Sequence, residues 1–225
     1  MATPKDLEQA LEIAKAQFQQ TDPEVQARRA GAQWLAPEPE RHSPKVQIPF
    51  MGKRYEILLP EGGVRYQDSD TEPASWEKII LLHYMCRADG SRLTGEYISF
   101  REIPEGRIYV STFEGRAVAP LLGQYGTCPE RILGPAASLQ GRRTEYGDLS
   151  VRIPLFPQVP VVVIFWKPDG EFGPRITILF DRSVTGYLPT EDIVLATQMM
   201  ALHLVHEGGI SAGRSERKRC LRRSR

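Results

Sequence analysis

Apolar residues gather most densely between Val151 and Glu207. Within that stretch Val159 to Trp166 (VPVVVIFW) is an unbroken, β-branched run, the pattern of a strand buried on both faces. Lys167 to Pro174 supplies proline and glycine for a reversal, and Ile176 to Asp181 (ITILFD) returns as a second strand. The two therefore form a hairpin with a loop longer than two residues. After Tyr187-Leu188-Pro189, Thr190 is placed to cap a helix, with Glu191 and Asp192 complementing the positive end of its dipole. That helix is expected to run to Glu207 and stop at Gly208-Gly209. From Ile193 to Val205 it is apolar nearly all round, which predicts packing on several sides.

Upstream the periodicity is more local. Thr3-Pro4 opens a helix whose stripe is Leu7, Leu11, Ala14 and Phe18, and Asp22-Pro23 opens a second that runs through Arg29 and extends toward Trp34 and Leu35. Ala36 to Pro44 is a proline-rich, charged linker. Val46 to Pro60 reads as two short strands meeting near Met51-Gly52, the first an edge strand because it contains Pro49. A helix over Trp76 to Arg87 puts Trp76, Ile79, Ile80, His83 and Cys86 on one side. Tyr97 to Arg101 is a short strand. The spacing of Val110, Phe113, Ala117 and Leu121 favours a helix closed by Gly123 and Gly126. Pro129 to Leu139 is a further short helix, and Gly141 to Tyr146 is loop.

These elements predict an α+β fold: a mainly antiparallel sheet with packed helices and an N-terminal helical arm. The expected organisation is the arm over 1–35, a single α+β domain over 45–210, and a disordered basic tail over 211–225. Charge bears this out in part, for residues 211–225 hold seven Lys or Arg and one Glu, leaving 22 basic and 27 acidic side chains elsewhere. Such a tail reads first as a solvated end with no partner of its own, the alternative being nonspecific affinity for nucleic acid or an acidic surface; no specific nucleic acid is expected. No run is long and apolar enough to cross a membrane, and the N-terminus lacks the apolar core of a secretory signal, so a cytoplasmic location is expected. Three cysteines, Cys86, Cys128 and Cys220, contain no C-x-x-C pair. Free thiols are expected, with no iron–sulfur cluster in this chain.

Two stretches resemble the signature blocks of a bacterial family of unknown function, frequent in anaerobes. They are Leu81 to Leu122, with L-H-Y followed by A-D-G and T-G-E-Y-I-S-F-R-E, and Val159 to Ile193, with L-F-D leading to Y-L-P. The resemblance covers roughly residues 5–207. Relatives often carry an N-terminal four-cysteine iron–sulfur module similar to that of corrinoid iron–sulfur proteins, and here no cysteine precedes Cys86. The resemblance implies a setting in anaerobic one-carbon or corrinoid redox metabolism and no particular activity.

Candidate chemistry is sparse. No nucleophile elbow, H-E-x-x-H, phosphate loop or dinucleotide fingerprint is present. His83 with Cys86 and His203 with His206 share helical spacing, but such pairs are common and no metal site is assigned. Asp181 ends a strand beside Arg182, an arrangement read as an ion pair, and Cys128 precedes a short helix that would lower its thiol pKa. A macrocycle needs only one protein ligand, so His83 is the favoured contact for a corrinoid (cobalamin) or a haem. Trp166, Phe100 and Met199 or Met200 would give an apolar wall, and Arg101 and Arg116 would meet the ligand's polar groups. The expected function is thus a non-enzymatic ligand-binding or accessory protein, acting on a small-molecule ligand or beside a redox or corrinoid protein partner. One alternative is a small enzyme built on Asp181, Arg116 and His83. Another is a scaffold with an exposed apolar face at Leu7, Leu11 and Phe18.

Overall fold

The computed structural model describes residues 3–38 and 43–211, so the centre of the predicted linker and nearly all of the basic tail lie outside the described residues. The fold is α+β, with one sheet of four strands and one of five. Two compact units interleave along the chain. The first takes Met1–Thr94, Phe156–Val159 and Ser183–Pro189, and the second takes Gly95–Leu155, Pro160–Arg182 and Thr190–Arg225.

In the first unit, α1 (Pro4–Gln19) begins with the Thr3 hydroxyl accepting from Asp6 N–H while the Asp6 carboxylate accepts from Thr3 N–H. Ala14 and Phe18 are fully buried, and the helix packs on a later helix of the same unit. Of the apolar face that a scaffold would leave open, Phe18 is buried and Leu7 and Leu11 are half-buried. Helix α2 (Pro23–Ala30) is capped by Asp22 and closed by Gly31 in the left-handed region at φ 66°. Chain reversal there leads into β1 (Gln33–Leu35), so Trp34 and Leu35 join a strand and not the helix. Strands β2 (Lys45–Phe50), β3 (Lys53–Leu58) and β4 (Gly63–Tyr66) complete the sheet in the order β1-β2-β3-β4.

Strand β2 is thus internal, contrary to the expectation from Pro49. The hydrogen bond from Leu59 N–H to Pro44 O, with the β2–β3 register, turns the odd-numbered main-chain groups of β2 toward β1. Strand β1 pairs only as far as Gln47, so the missing N–H of Pro49 costs no ladder bond. Helix α3 (Ser75–Arg87) buries Glu77, Ile79, Ile80, Leu81, Leu82, Tyr84 and Met85. Tyr84 stacks on Phe156 at 4.1 Å, Phe156 stacks on Phe50 at 4.3 Å, and the Tyr84 hydroxyl donates to Ala30 O at 2.7 Å.

The second unit opens with β5 (Tyr97–Ser99) and a 3-10 turn over Phe100–Glu102. Helices α4 (Gly106–Phe113) and α5 (Ala119–Tyr125) are joined without a break by a π-helical turn, Glu114–Val118. The expected helix is present, and Phe113, Ala117 and Leu121 are buried along it. Helix α6 (Leu133–Ser138) leads into β6 (Arg142–Thr144), a strand in a segment expected to be loop. Strands β7 (Leu149–Phe156), β8 (Val159–Trp166) and β9 (Arg175–Asp181) follow, and the sheet order is β5-β9-β8-β7-β6. All but the last residue of β8 are buried, as the apolar run predicts.

Helix α7 (Thr190–Ser211) packs against α4, the π turn, α5 and α6. Two expectations fail there. Thr190 is the first helical residue, and its hydroxyl donates to Pro104 O at 2.8 Å instead of capping. The helix also continues through Gly208-Gly209: a side chain at Gly208 would meet the Tyr125 hydroxyl at 2.1 Å, so packing keeps the glycine inside the helix. Cys86 is a free thiol, Cys128 is disulfide-bonded, and Cys220 lies outside the described residues. The expectation of free thiols is corrected for Cys128, because an odd cysteine count still permits one bridge.

Candidate functional site

A cleft of about 640 Å³ lies in the second unit, between the α4–α5 helix and β9. Its floor is set by local sequence. Glu102 folds back to accept from Ser99 N–H at 2.8 Å and from the Ser99 hydroxyl at 2.7 Å, which tightens the turn that carries Phe100. Gly106 lets the helix start against that turn, since a side chain there would lie 2.0 Å from Phe100 O. Phe100 then stacks on Phe113 at 4.2 Å with planes 2° apart, and both meet Phe180 at an angle.

Val110, Val118, Leu122, Ile176 and Ile178 supply the apolar walls, and the π turn contributes Glu114 and Gly115. Such a turn lifts main-chain groups out of the regular helical ladder, and it recurs at functional sites. At the rim the Arg101 guanidinium pairs with Glu114 at 2.8 Å, both side chains largely in solvent. Water screens that pair, so an anionic group on a ligand can compete for Arg101 at modest cost.

Of the residues expected to form the site, Arg101 lines this cleft and Arg116 projects from its π turn as an exposed side chain. Trp166 lies on β8, 39% exposed, with its indole N–H donating to the Thr177 hydroxyl at 3.2 Å. Asp181 is only 2% exposed and accepts from Gly95 N–H at 2.8 Å. Arg182 pairs with Glu96 through two contacts of 2.6 Å. His83 belongs to the first unit, on α3, whereas the other four belong to the second. Residues on most sides of α3 are buried, while His83 and Cys86 share its half-exposed stripe, so the apolar side expected at His83 is elsewhere on that helix. Burial pushes the Cys86 thiol up to about 11.

A polar cluster in the first unit escaped the sequence. The buried Glu77 carboxylate accepts from the Tyr55 hydroxyl at 2.7 Å, the Tyr66 hydroxyl at 2.9 Å and Ala74 N–H at 2.8 Å, with the Lys53 ammonium at 3.3 Å. Burial alone would raise its pKa, but these donors and the Lys53 charge bring it below the ordinary carboxylate value. Beside it lies an open cavity of about 480 Å³ lined by Lys53, Arg54, Tyr66, Asp68, Ser69 and Thr71. Glu56 is similar: burial opposes its charge, yet Lys45, Gln47 and Arg65 hold it down at about 2. Both carboxylates are saturated by donors: Glu77 fastens α3 to β3 and β4, Glu56 ties β2 to β4 across β3, and neither keeps a lone pair for chemistry. Apart from the Ala74 N–H bond at the start of α3, little local marks them, because the other partners arrive from other elements.

Among the described residues, no group of three or more His, Cys, Asp or Glu is placed to hold a metal ion. Nor is any described helix long and apolar enough to cross a membrane. The molecule is thus an α+β protein with an open, largely apolar cleft guarded by one guanidinium. It belongs to the DUF3786 family, a domain of unknown function whose model matches residues 22–203, a span that includes both signature blocks. No curated protein and no solved structure matches the chain.

Proposed function

We propose that this chain is a ligand-binding protein without catalytic activity of its own, and that its site is the cleft between the π turn and β9. The single observation that carries the reading is the lining: a stacked Phe100–Phe113 floor and aliphatic walls, with charge confined to the Arg101–Glu114 pair at the rim. Such a site takes a flat, largely apolar ligand that carries acidic groups. Haem-like tetrapyrroles, with an apolar ring and carboxylate side chains, are that class of molecule. A corrinoid, whose side chains are amides, is kept as the second candidate by the metabolic setting implied by the resemblance to a family frequent in anaerobes. The enzyme reading has no comparable support, since His83, Arg116 and Asp181 line neither of the two cavities described.

Spectral titration with haemin and with hydroxocobalamin tests the proposal. A band shift that saturates with the wild type, is lost in Val118→Trp and weakens several-fold in Arg101→Ala is the expected result. Ile176→Trp fills the cleft from the facing strand and repeats the test if Val118→Trp melts early. No shift with either pigment, or a shift indifferent to both filling variants, overturns the assignment. His83→Ala examines the imidazole separately, and an unchanged shift removes it as a contact.

A further inference from the structure

The same five-stranded sheet has a second face, away from the cleft, with a different chemistry. Strand registers define it. Tyr97 stands opposite Asp181, and the two-residue period of β9 places Thr177 and Arg175 on the same side. Trp166 stands opposite Arg175 and bonds to Thr177, so it shares that side, whereas Ile176 and Ile178 line the cleft and Phe180 meets its Phe100–Phe113 floor; Thr177 borders the cleft as well. Arg152 donates through Nε to the Tyr97 hydroxyl at 3.2 Å, the Tyr146 ring meets Tyr97 edge-on at 6.1 Å, and Arg142 lies directly across from Arg152.

Two features of this face are not needed for folding. Arginines directly opposite on adjacent strands repel each other, and neither Arg142 nor Arg152 makes an ion pair among the described residues. Large rings are also left in water, Tyr146 at 45% and Trp166 at 39% exposure. Arg142 and Arg175 are exposed beside them. Neighbouring strands lie roughly 4.8 Å apart, so the face spans roughly 19 Å from β5 to β6.

We propose that this face is a platform for single-stranded nucleic acid, bound without sequence preference. Tyr146 and Trp166 offer faces on which bases stack, and Arg142, Arg152 and Arg175 meet the phosphates between them. Stacking tolerates any base, and guanidiniums suit phosphate oxygens because their fork is planar and always charged. A small carboxylate would satisfy the arginine pair but would leave the two separated rings unexplained. Its two rings and three arginines lie outside the lining of the cleft.

Fluorescence anisotropy of the full chain with fluorescein-labelled rU15, at low salt, tests the inference. Binding should weaken steeply with salt, and Arg142→Glu should weaken it about tenfold or more while reducing the salt slope by about 1. Tyr146→Ala and Trp166→Ala, both at exposed positions, should each weaken binding about fivefold or more with the salt slope unchanged. Because residues 211–225 are strongly basic, ultraviolet crosslinking with peptide mapping separates the sites. Adducts on peptides containing Tyr146 or Trp166 support the platform. Absence of binding, indifference to the double variant Tyr146→Ala with Trp166→Ala, or adducts confined to residues 212–225 would each overturn it.

Discussion

Replacing Glu77 by leucine strikes the most connected side chain of the first unit. The substitution strips the acceptor from the Tyr55 hydroxyl, which is fully buried and 2.7 Å away, and from Ala74 N–H at 2.8 Å. A buried hydroxyl left without a partner costs about 1–3 kcal/mol, and loss of the first-turn bond of α3 a further ~0.5–2 kcal/mol. Tyr66 and Lys53 are partly wet and turn to solvent at small cost. The added leucine recovers part of this through apolar burial, so the net loss should be about 2–4 kcal/mol. Urea unfolding followed by circular dichroism, and by the fluorescence of the neighbouring Trp76, measures it. Tyr55→Phe should cost about 1 kcal/mol in the wild type and nothing in Glu77→Leu, because the hydroxyl it removes has by then become a liability. Equal costs in the two backgrounds, or a loss below ~1 kcal/mol for Glu77→Leu, would refute the reasoning. The sign of the pH dependence follows from the lowered folded pKa of Glu77. Its contribution is complete above the unfolded carboxylate value near 4.3 and disappears as pH falls through the folded one. Glu77→Leu should flatten that part of the acid limb, leaving the part due to Glu56, which persists down to about pH 2.

Two further outcomes test the local geometry. Gly106→Ala should cost about 1–3 kcal/mol in thermal melting, since its new methyl meets the rigid Phe100 carbonyl, whereas Gly115→Ala, with nothing within 4 Å, should be neutral or stabilising. Equal melting temperatures for the two would show that the turn under Phe100 yields freely. Cys86, its thiol pushed up to about 11 by burial, should react with iodoacetamide at pH 8 about a hundredfold more slowly than free cysteine. Labelling of the Cys86 peptide at the rate of a free thiol would contradict that burial.

Local pattern alone sufficed for the elements whose own residues carry the necessary free energy. The unbroken apolar run became β8, the caps Thr3 and Asp22 started α1 and α2, and the four-residue spacing of Phe113, Ala117 and Leu121 became one continuous helix. Arg101 and Phe100, adjacent in a block of distinctive sequence, line one cleft. What the sequence could not reveal depends on partners distant along the chain. Strands β1, β4 and β6 are three or four residues long and exist through the ladders they join. Pro49 sits in an internal strand because its neighbour stops short of it, and position 208 of α7 is a glycine because Tyr125 fills the space a side chain would need. Glu77 gathers donors from β3, β4 and the entry to α3, and the Arg142–Arg152 pair is created by register. Periodicity states which face a residue prefers, and only the packed chain decides what stands opposite it.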